Sequence, residues 1–387
     1  MTDDVHATRR GQARTRLAAV DADGLVCFPS RNLQYLTGFE EEPGERHFLL
    51  VLPAGERDDG AADDAETTAD DVTVPATLLV PELYGEQVRT ETDVGDVRTW
   101  VDGDDPREAV REVLDDHDVR SGRLLVDDTM WARFTQDLRA VAPAATWGLA
   151  SEALADLRVR KDESEVAALR AAAAAADATV SDLRALGSEA IGTTERELAD
   201  WIADRLTTHG GEDVSFETIV AAGENGAKPH HSPSDRMIRA GDPVVLDFGT
   251  RVDGYPSDQT RTLVFDDEPP DEYERVHAVV REAQSAAVEA VEPGVTAAAI
   301  DRTAREIIEE AGYGDAFVHR TGHGVGLDVH EEPYVVAGND RELEPGMVFS
   351  VEPGVYLEGR FGCRIEDLVV VTAEGAERLN TTDHDWH

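Results

Sequence analysis

Cysteine and lysine are almost missing from this chain of 387 residues. Cys27 and Cys363 are the only thiols. Two isolated thiols exclude a disulfide framework and a thiolate metal site, so both are read as reduced, buried side chains. Lys161 and Lys228 are the only lysines, and 81 Asp and Glu outweigh 36 Lys and Arg to leave a formal charge of −45. A field of that sign repels nucleic acid and anionic membrane, which excludes both as partners. Long apolar runs are absent as well. Ala171 to Ala176 falls far short of the roughly 18–20 apolar residues of a membrane span. Arg9, Arg10, Arg14 and Arg16 precede Leu17 to Val20, but this short apolar stretch runs into Asp21 and Asp23 rather than into a leader core. The segment is read as a solvated helix and the protein as cytoplasmic.

The acid excess binds water and cations, and its self-repulsion opposes the compact state unless salt screens it. The composition resembles that of proteins from organisms with molar intracellular salt. A requirement for high salt is therefore expected, and an equal melting temperature in dilute buffer and in molar KCl would contradict it.

The length exceeds what one core usually accommodates, so two domains are expected, at 1–154 and 155–387. In the first, Gly24–Phe28, His47–Leu52, Thr77–Val80 and Arg123–Val126 read as strands. Asn32–Phe39, ending at Gly38, and Pro106–Asp116 read as helices. Gly55–Val72 is almost wholly Asp, Glu, Ala, Thr and Gly, and reads as a flexible acidic surface loop. In the second domain, helices are expected over Glu163–Leu186, Thr194–Thr208, Asp271–Val291 and Thr296–Ala311, the last two closed by Gly294 and Gly312. Strands are expected at Val214–Ala221, Pro243–Gly249, Thr260–Phe265, Met347–Glu352 and Cys363–Val371. The fold class is α/β (α+β).

The suggestive polar residues sit in or beside those later strands. Asp247 ends the apolar run Val244-Val245-Leu246, and Asp258 precedes Gln259-Thr260-Arg261. A turn at Val252-Asp253-Gly254 would fold the two segments into a hairpin and bring the aspartates together. A carboxylate ending an apolar strand needs a cation or an arginine; taken singly, either is more simply a cap or an ion-pair residue. Three later segments change that balance: Thr321-Gly322-His323-Gly324-Val325-Gly326 followed by His330, Ser350-Val351-Glu352-Pro353-Gly354, and Arg364-Ile365-Glu366-Asp367. Strand alternation puts Arg364 and Glu366 on one face and Ile365 on the other.

In this order the segments resemble the pita-bread metallopeptidase family of methionine aminopeptidase, proline dipeptidase and aminopeptidase P. The resemblance spans the chain from about Lys161 and extends more weakly to Asn32–Phe39, like that family's Asn-to-Tyr-Leu-Thr-Gly-Phe segment. It implies a small creatinase-like N-terminal domain followed by an antiparallel pita-bread sheet covered by helices. It also implies a dinuclear centre on Asp247, Asp258, His323, Glu352 and Glu366, with Asp258 and Glu366 bridging. Oxygen-rich ligation suits two Mn²⁺ ions, with Co²⁺ or Zn²⁺ as alternatives. Ions roughly 3.5–4 Å apart hold a shared water as hydroxide and polarise the carbonyl it attacks. Glu352 is then expected to move protons, His230 and His330 to contact substrate and intermediate, and Arg364 to hold Glu366 or meet the substrate. His231 is read as a surface residue.

A leading domain of about 150 residues points to the branch that cuts before proline in di- or oligopeptides, and a homodimer is what such relatives lead one to expect. Small prokaryotic proline dipeptidases align an arginine where this chain has Tyr334, which sets aminopeptidase P beside dipeptidase as the expected activity. Two other classes stay open: a metal-dependent hydrolase of a small C–N substrate such as a compatible solute, and a non-catalytic binding module.

Overall fold

The chain divides into two units, Met1–Arg158 and Val159–His387, and the computed structural model describes residues 5–55 and 75–387. Among the described residues, the first unit holds six α-helices and six strands. The helices are α1 (Val5–Ala19), α2 (Arg31–Thr37), α3 (Gly85–Glu91), α4 (Pro106–Asp116), α5 (Ala132–Val141) and α6 (Ser151–Arg158). The strands are β1 (Gly24–Cys27), β2 (Leu49–Pro53), β3 (Thr77–Pro81), β4 (Asp96–Trp100), β5 (Arg123–Val126) and β6 (Thr146–Leu149). They form one mixed sheet in the order β4-β3-β2-β1-β5-β6. β1, β2 and β3 are buried along their whole length, the pattern of a sheet covered on both faces.

Local chemistry sets the boundaries of this unit. The Ser30 side chain caps α2 by accepting from the Leu33 N–H, and Gly38 ends it at φ 76°. Asp105 caps α4, with Pro106 at its first turn. The helix expected near the N-terminus is present as α1 but is not simply solvated: Arg9, Ala13 and Leu17, spaced four apart, are buried. The Arg9 guanidinium lies over the Tyr35 ring at 4.4 Å. Apart from Gly55, the acidic segment at 55–72 lies outside the described residues.

In the second unit α7 (Glu163–Leu186) and α8 (Glu195–Thr208) both open with capping boxes, Asp162 with Glu165 and Thr194 with Glu197. Three antiparallel strands follow these helices in space: β7 (Ile219–Ala222), β8 (Pro243–Phe248) and β11 (Gln259–Val264), in the order β11-β8-β7. Between β8 and β11 a minor hairpin of β9 (Arg251–Val252) and β10 (Tyr255–Pro256) turns at Asp253 and Gly254, both at positive φ. Leu246 and Phe248 of β8 pack with Ala176, Val180 and Leu198 of the two helices.

The helices α9 (Tyr273–Glu289) and α10 (Ala297–Glu310) cover a second antiparallel sheet. Its strands are β12 (Gly322–Gly324), β13 (Glu331–Val335), β14 (Val348–Val351), β17 (Asp367–Thr372) and β18 (Gly375–Arg378), in the order β13-β12-β14-β17-β18. A separate pair joins β15 (Gly354–Leu357) to β16 (Phe361–Arg364). Phe349, Val351, Val369 and Ile365 face the helices, so the residues of opposite parity face away from this core.

Three expected boundaries move. Val214–Ala221 yields only β7, with Val214 making one bridge to Thr250. α9 stops at Glu289, and Gly294 instead turns the following loop, its N–H bonded to the Leu343 carbonyl. The single strand expected at Cys363–Val371 is two strands in different sheets. The break lets the Glu366 N–H cross to the Thr260 carbonyl at 3.1 Å. Both cysteines are free and buried. Among the described residues no helix is long and apolar enough to cross a membrane.

Candidate metal centre

Strand register brings the expected residues to one place. Asp247 of β8 sits between Ile219 of β7 and Thr260 of β11, and Asp258 immediately precedes β11. His323 is the middle residue of β12. Its glycine neighbours are required by packing, because a Cβ at Gly322 would meet the Ser350 carbonyl oxygen at 1.8 Å and one at Gly324 the Glu332 oxygen at 2.2 Å. Glu352 follows β14 and is tied back through its N–H to the Thr321 carbonyl. Glu366 occupies the break between β16 and β17.

These side chains form three overlapping groups whose donor atoms lie within 4.8 Å of one another: Asp247, Asp258 and Glu366; His323, Glu352 and Glu366; and Asp258, His323 and His330. His323 Nε2 is 3.4 Å from Glu352 and 3.5 Å from Asp258. Its Nδ1–H donates to the Gly324 carbonyl, which leaves Nε2 as the free lone pair. The Ser350 hydroxyl accepts from the His323 N–H and donates to Glu352 at 3.3 Å.

Burial, reinforced by the neighbouring carboxylates, pushes Asp258 and Glu366 well above the usual range. Burial raises Glu352 to about 7. Burial and then His330 push His323 down to about 3, so its ring is neutral. Thr260 donates to one Glu366 oxygen at 2.6 Å, and Arg364 donates to one Asp247 oxygen at 2.6 Å. The other oxygen of each, Asp247 Oδ1 and Glu366 Oε1, is buried with no hydrogen-bond partner. Four clustered carboxylates with two orphaned oxygens and a neutral imidazole fit divalent cations, which would satisfy both oxygens and offset the repulsion. A purely structural ion-pair cluster would leave neither oxygen unmet.

Around this cluster runs a polar chain that the sequence reading did not identify. Arg364 donates to the Tyr356 hydroxyl at 2.7 Å. The hydroxyl meets His319 Nε2 at 2.8 Å, and His319 Nδ1–H donates to the Arg320 carbonyl at 2.7 Å. A tyrosine inside the short strand Gly354-Val355-Tyr356-Leu357 was the available signal. Arg364 reaches Glu366 only through the Thr260 hydroxyl and pairs directly with Asp247. His330 stacks edge-on against His323, ring centroids 4.1 Å apart, and is solvent-exposed, as is His230.

His231 is not a surface residue. Its ring is mostly buried, and Nε2 meets Glu195 at 2.8 Å. Glu195, wholly buried at the start of α8, also accepts from Ala222 N–H, Asn225 and Ser234, and so ties down the loop that carries His230. Its partners outweigh burial and hold its carboxyl below the usual range.

Residues 167–373 match metallopeptidase family M24, and residues 9–160 match the creatinase/prolidase N-terminal domain. A protein of Mycobacterium tuberculosis described as a probable dipeptidase, PepE, is 42% identical over 388 residues, covering 99% of this chain and 96% of its own. The Xaa-Pro dipeptidase of Lactobacillus helveticus is 38% identical over 359 residues, 91% of each chain. Among solved structures, the recombinant prolidase of Thermococcus sibiricus superposes with a TM-score of 0.89 at 37% identity, over 98% of both chains.

Proposed function

The chain belongs to metallopeptidase family M24, with a creatinase-type N-terminal unit before a pita-bread catalytic unit, and we propose that this metallopeptidase hydrolyses the peptide bond of Xaa-Pro dipeptides. The observation that carries the reading is the pair of orphaned, buried carboxylate oxygens on Asp247 and Glu366 within one donor cluster. The names of the relatives, dipeptidase and prolidase, support the substrate class.

Asp247, Asp258, His323, Glu352 and Glu366 would together hold the divalent cations, and the oxygen-rich set would favour Mn²⁺ over Co²⁺ or Zn²⁺. When bound, the cations supply a nucleophilic water at neutral pH and a Lewis acid for the scissile carbonyl. Glu352 takes the proton of the attacking water as the new C–O bond forms, and delivers it to the proline nitrogen as the C–N bond breaks. That delivery is needed because the nitrogen would otherwise have to leave as a strongly basic amide anion. His230 and His330, exposed at the rim, donate hydrogen bonds to the substrate and to the developing oxyanion. Arg364, locked between Asp247, Thr260 and Tyr356, fixes the orientation of Asp247.

A preference for longer peptides is the second reading, favoured by Tyr334 in the place of an arginine. In molar KCl with Mn²⁺, Ala-Pro is expected to be cut and Ala-Pro-Ala to be cut far more slowly. Asp258→Asn removes a bridging ligand and should abolish turnover together with bound metal. Faster cleavage of the tripeptide would replace the dipeptidase reading by aminopeptidase P. Two bound ions with neither peptide cut would replace both by hydrolysis of a small C–N substrate.

A further inference from the structure

Arg320 meets an aromatic ring where many arginines of this chain meet a carboxylate. With 81 acidic residues against 36 basic ones, the arginines of the catalytic unit meet carboxylates readily: Arg364 with Asp247, Arg305 with Asp301, Arg236 with Asp242. Among the described residues no acidic side chain lies within ion-pair distance of Arg320, although its side chain is half-buried. Its guanidinium carbon instead lies over the Tyr334 ring, 4.5 Å from the centroid.

Both partners of that stack are held firmly. The Thr321 N–H bonds the Val335 carbonyl, which places Arg320 alongside Tyr334. Tyr334 is fixed through its N–H to Glu332 and through its carbonyl to Asn339. The Arg320 carbonyl is held by His319, the last member of the chain that starts at Asp247. The stack also stands beside the metal centre: Thr321, next to Arg320, accepts the Glu352 N–H through its carbonyl at 2.8 Å, and His323 follows two residues later. An unpaired, oriented cation beside four carboxylates is a place for an anion that arrives with the substrate.

We propose that Arg320 reads the free carboxylate of the dipeptide, with Tyr334 as the platform that orients its guanidinium. The inference rests on the Xaa-Pro reading above. In an Xaa-Pro dipeptide the carboxylate follows directly on the proline ring. A planar guanidinium accepts it through two parallel hydrogen bonds. In a longer peptide the same position holds a neutral amide, which gains nothing from the charge. Tyr334 thus keeps the carboxylate reader in the site, presented from the neighbouring strand, rather than abolishing it.

The test is steady-state kinetics on Ala-Pro and Ala-Pro-amide, with wild type, Arg320→Gln and Arg320→Lys loaded with Mn²⁺ in molar KCl. Wild type should prefer the acid. Arg320→Gln should shrink the acid-to-amide ratio of kcat/KM about 10- to 100-fold, chiefly through KM for the acid. Arg320→Lys, which keeps the charge but not the fork, should fall between. Tyr334→Leu removes the platform without touching the charge and should shift the ratio in the same direction, which guards against a variant that misfolds. An unchanged ratio, with acid and amide losing equally, overturns the proposal. So does a loss confined to Glu-Pro with Ala-Pro unaffected, since the arginine would then read an acidic side chain before proline. If wild type cuts neither Ala-Pro nor its amide while binding metal, the Xaa-Pro reading itself falls and takes this inference with it.

Discussion

Glu366 and Asp367 are adjacent, equally buried carboxylates with opposite fates. They are 2% and 0% exposed, and desolvation pushes both upward. On the front, Glu366 faces other carboxylates, keeps one oxygen unmet and is raised well above the usual range. On the rear, Asp367 receives Arg261 at 2.7 Å, His384 at 2.8 Å and Gln284 at 3.1 Å, and is held far below it. Burial is therefore not what separates them. The rear matches Asp367 with cations of its own, while the front sets the single guanidinium of Arg364, paired with Asp247, against four carboxylates, and that shortfall fits the front to divalent metal. The two layers are also joined, because Arg261 donates to the Glu366 carbonyl at 2.6 Å.

The largest effect is expected where the comparison is sharpest. Asp367→Asn leaves the wholly buried Arg261 without its counter-charge, and should destabilise the protein by about 3–5 kcal/mol with or without metal. Glu366→Gln removes one of several repelling charges. The metal-free variant should melt no lower than wild type, while the stabilisation on adding Mn²⁺ is lost. Thermal melts with and without Mn²⁺ check both. Equal destabilisation by the two substitutions would break the distinction between front and rear.

A smaller effect follows from pH. Asp258, Glu366 and Glu352 are raised in the folded, metal-free protein, so the fold binds protons more tightly than the unfolded chain does. Their contribution is fully present below the ordinary carboxylate range and is lost as pH rises through the folded values, which for Glu352 is from about 4.5 to about 7. Asp367 has the opposite sign, and its stabilisation is lost only as pH falls below the ordinary range. The melting temperature of the metal-free protein should decline as pH rises from 4.5 to about 7, and Mn²⁺ should remove the decline. A metal-free melting temperature that rises over this interval would contradict the reading of the front.

Much of this front was legible in the sequence. Asp247, Asp258, His323, Glu352 and Glu366 were singled out by the order of their motifs along the chain and the family those motifs resemble, and the structure gathers them. The long helices were legible because caps and periodicity are local. The rear layer was not. Arg261 meets Asp367, Thr382 and Asp383 across more than a hundred residues, and nothing near it in sequence announces those partners. Arg320 and Tyr334 escaped because their stack depends on the pairing of β12 with β13. His231 was misread because its partner Glu195 opens a helix more than thirty residues earlier.

The smallest effect tests whether the rear is strong because it is charged or because its charges are buried. Arg281 and Asp385 belong to the same rear layer and pair at 2.8 Å, but their side chains are 48% and 64% exposed. Water solvates both ions with or without the pair, and the two long side chains lose freedom in meeting. A double-mutant cycle of Arg281→Ala with Asp385→Ala should therefore give a coupling of about 0–1 kcal/mol, weaker in molar KCl than in dilute buffer. Arg261 with Asp367 makes the same kind of contact at 2.7 Å with both side chains 1% exposed. If the Arg281 pair proves as strong as the Arg261 pair, burial is not the source of the rear's stability. A coupling that salt removes leaves Asp367 and Arg261 as the contact that sets Glu366 in place behind the metal centre.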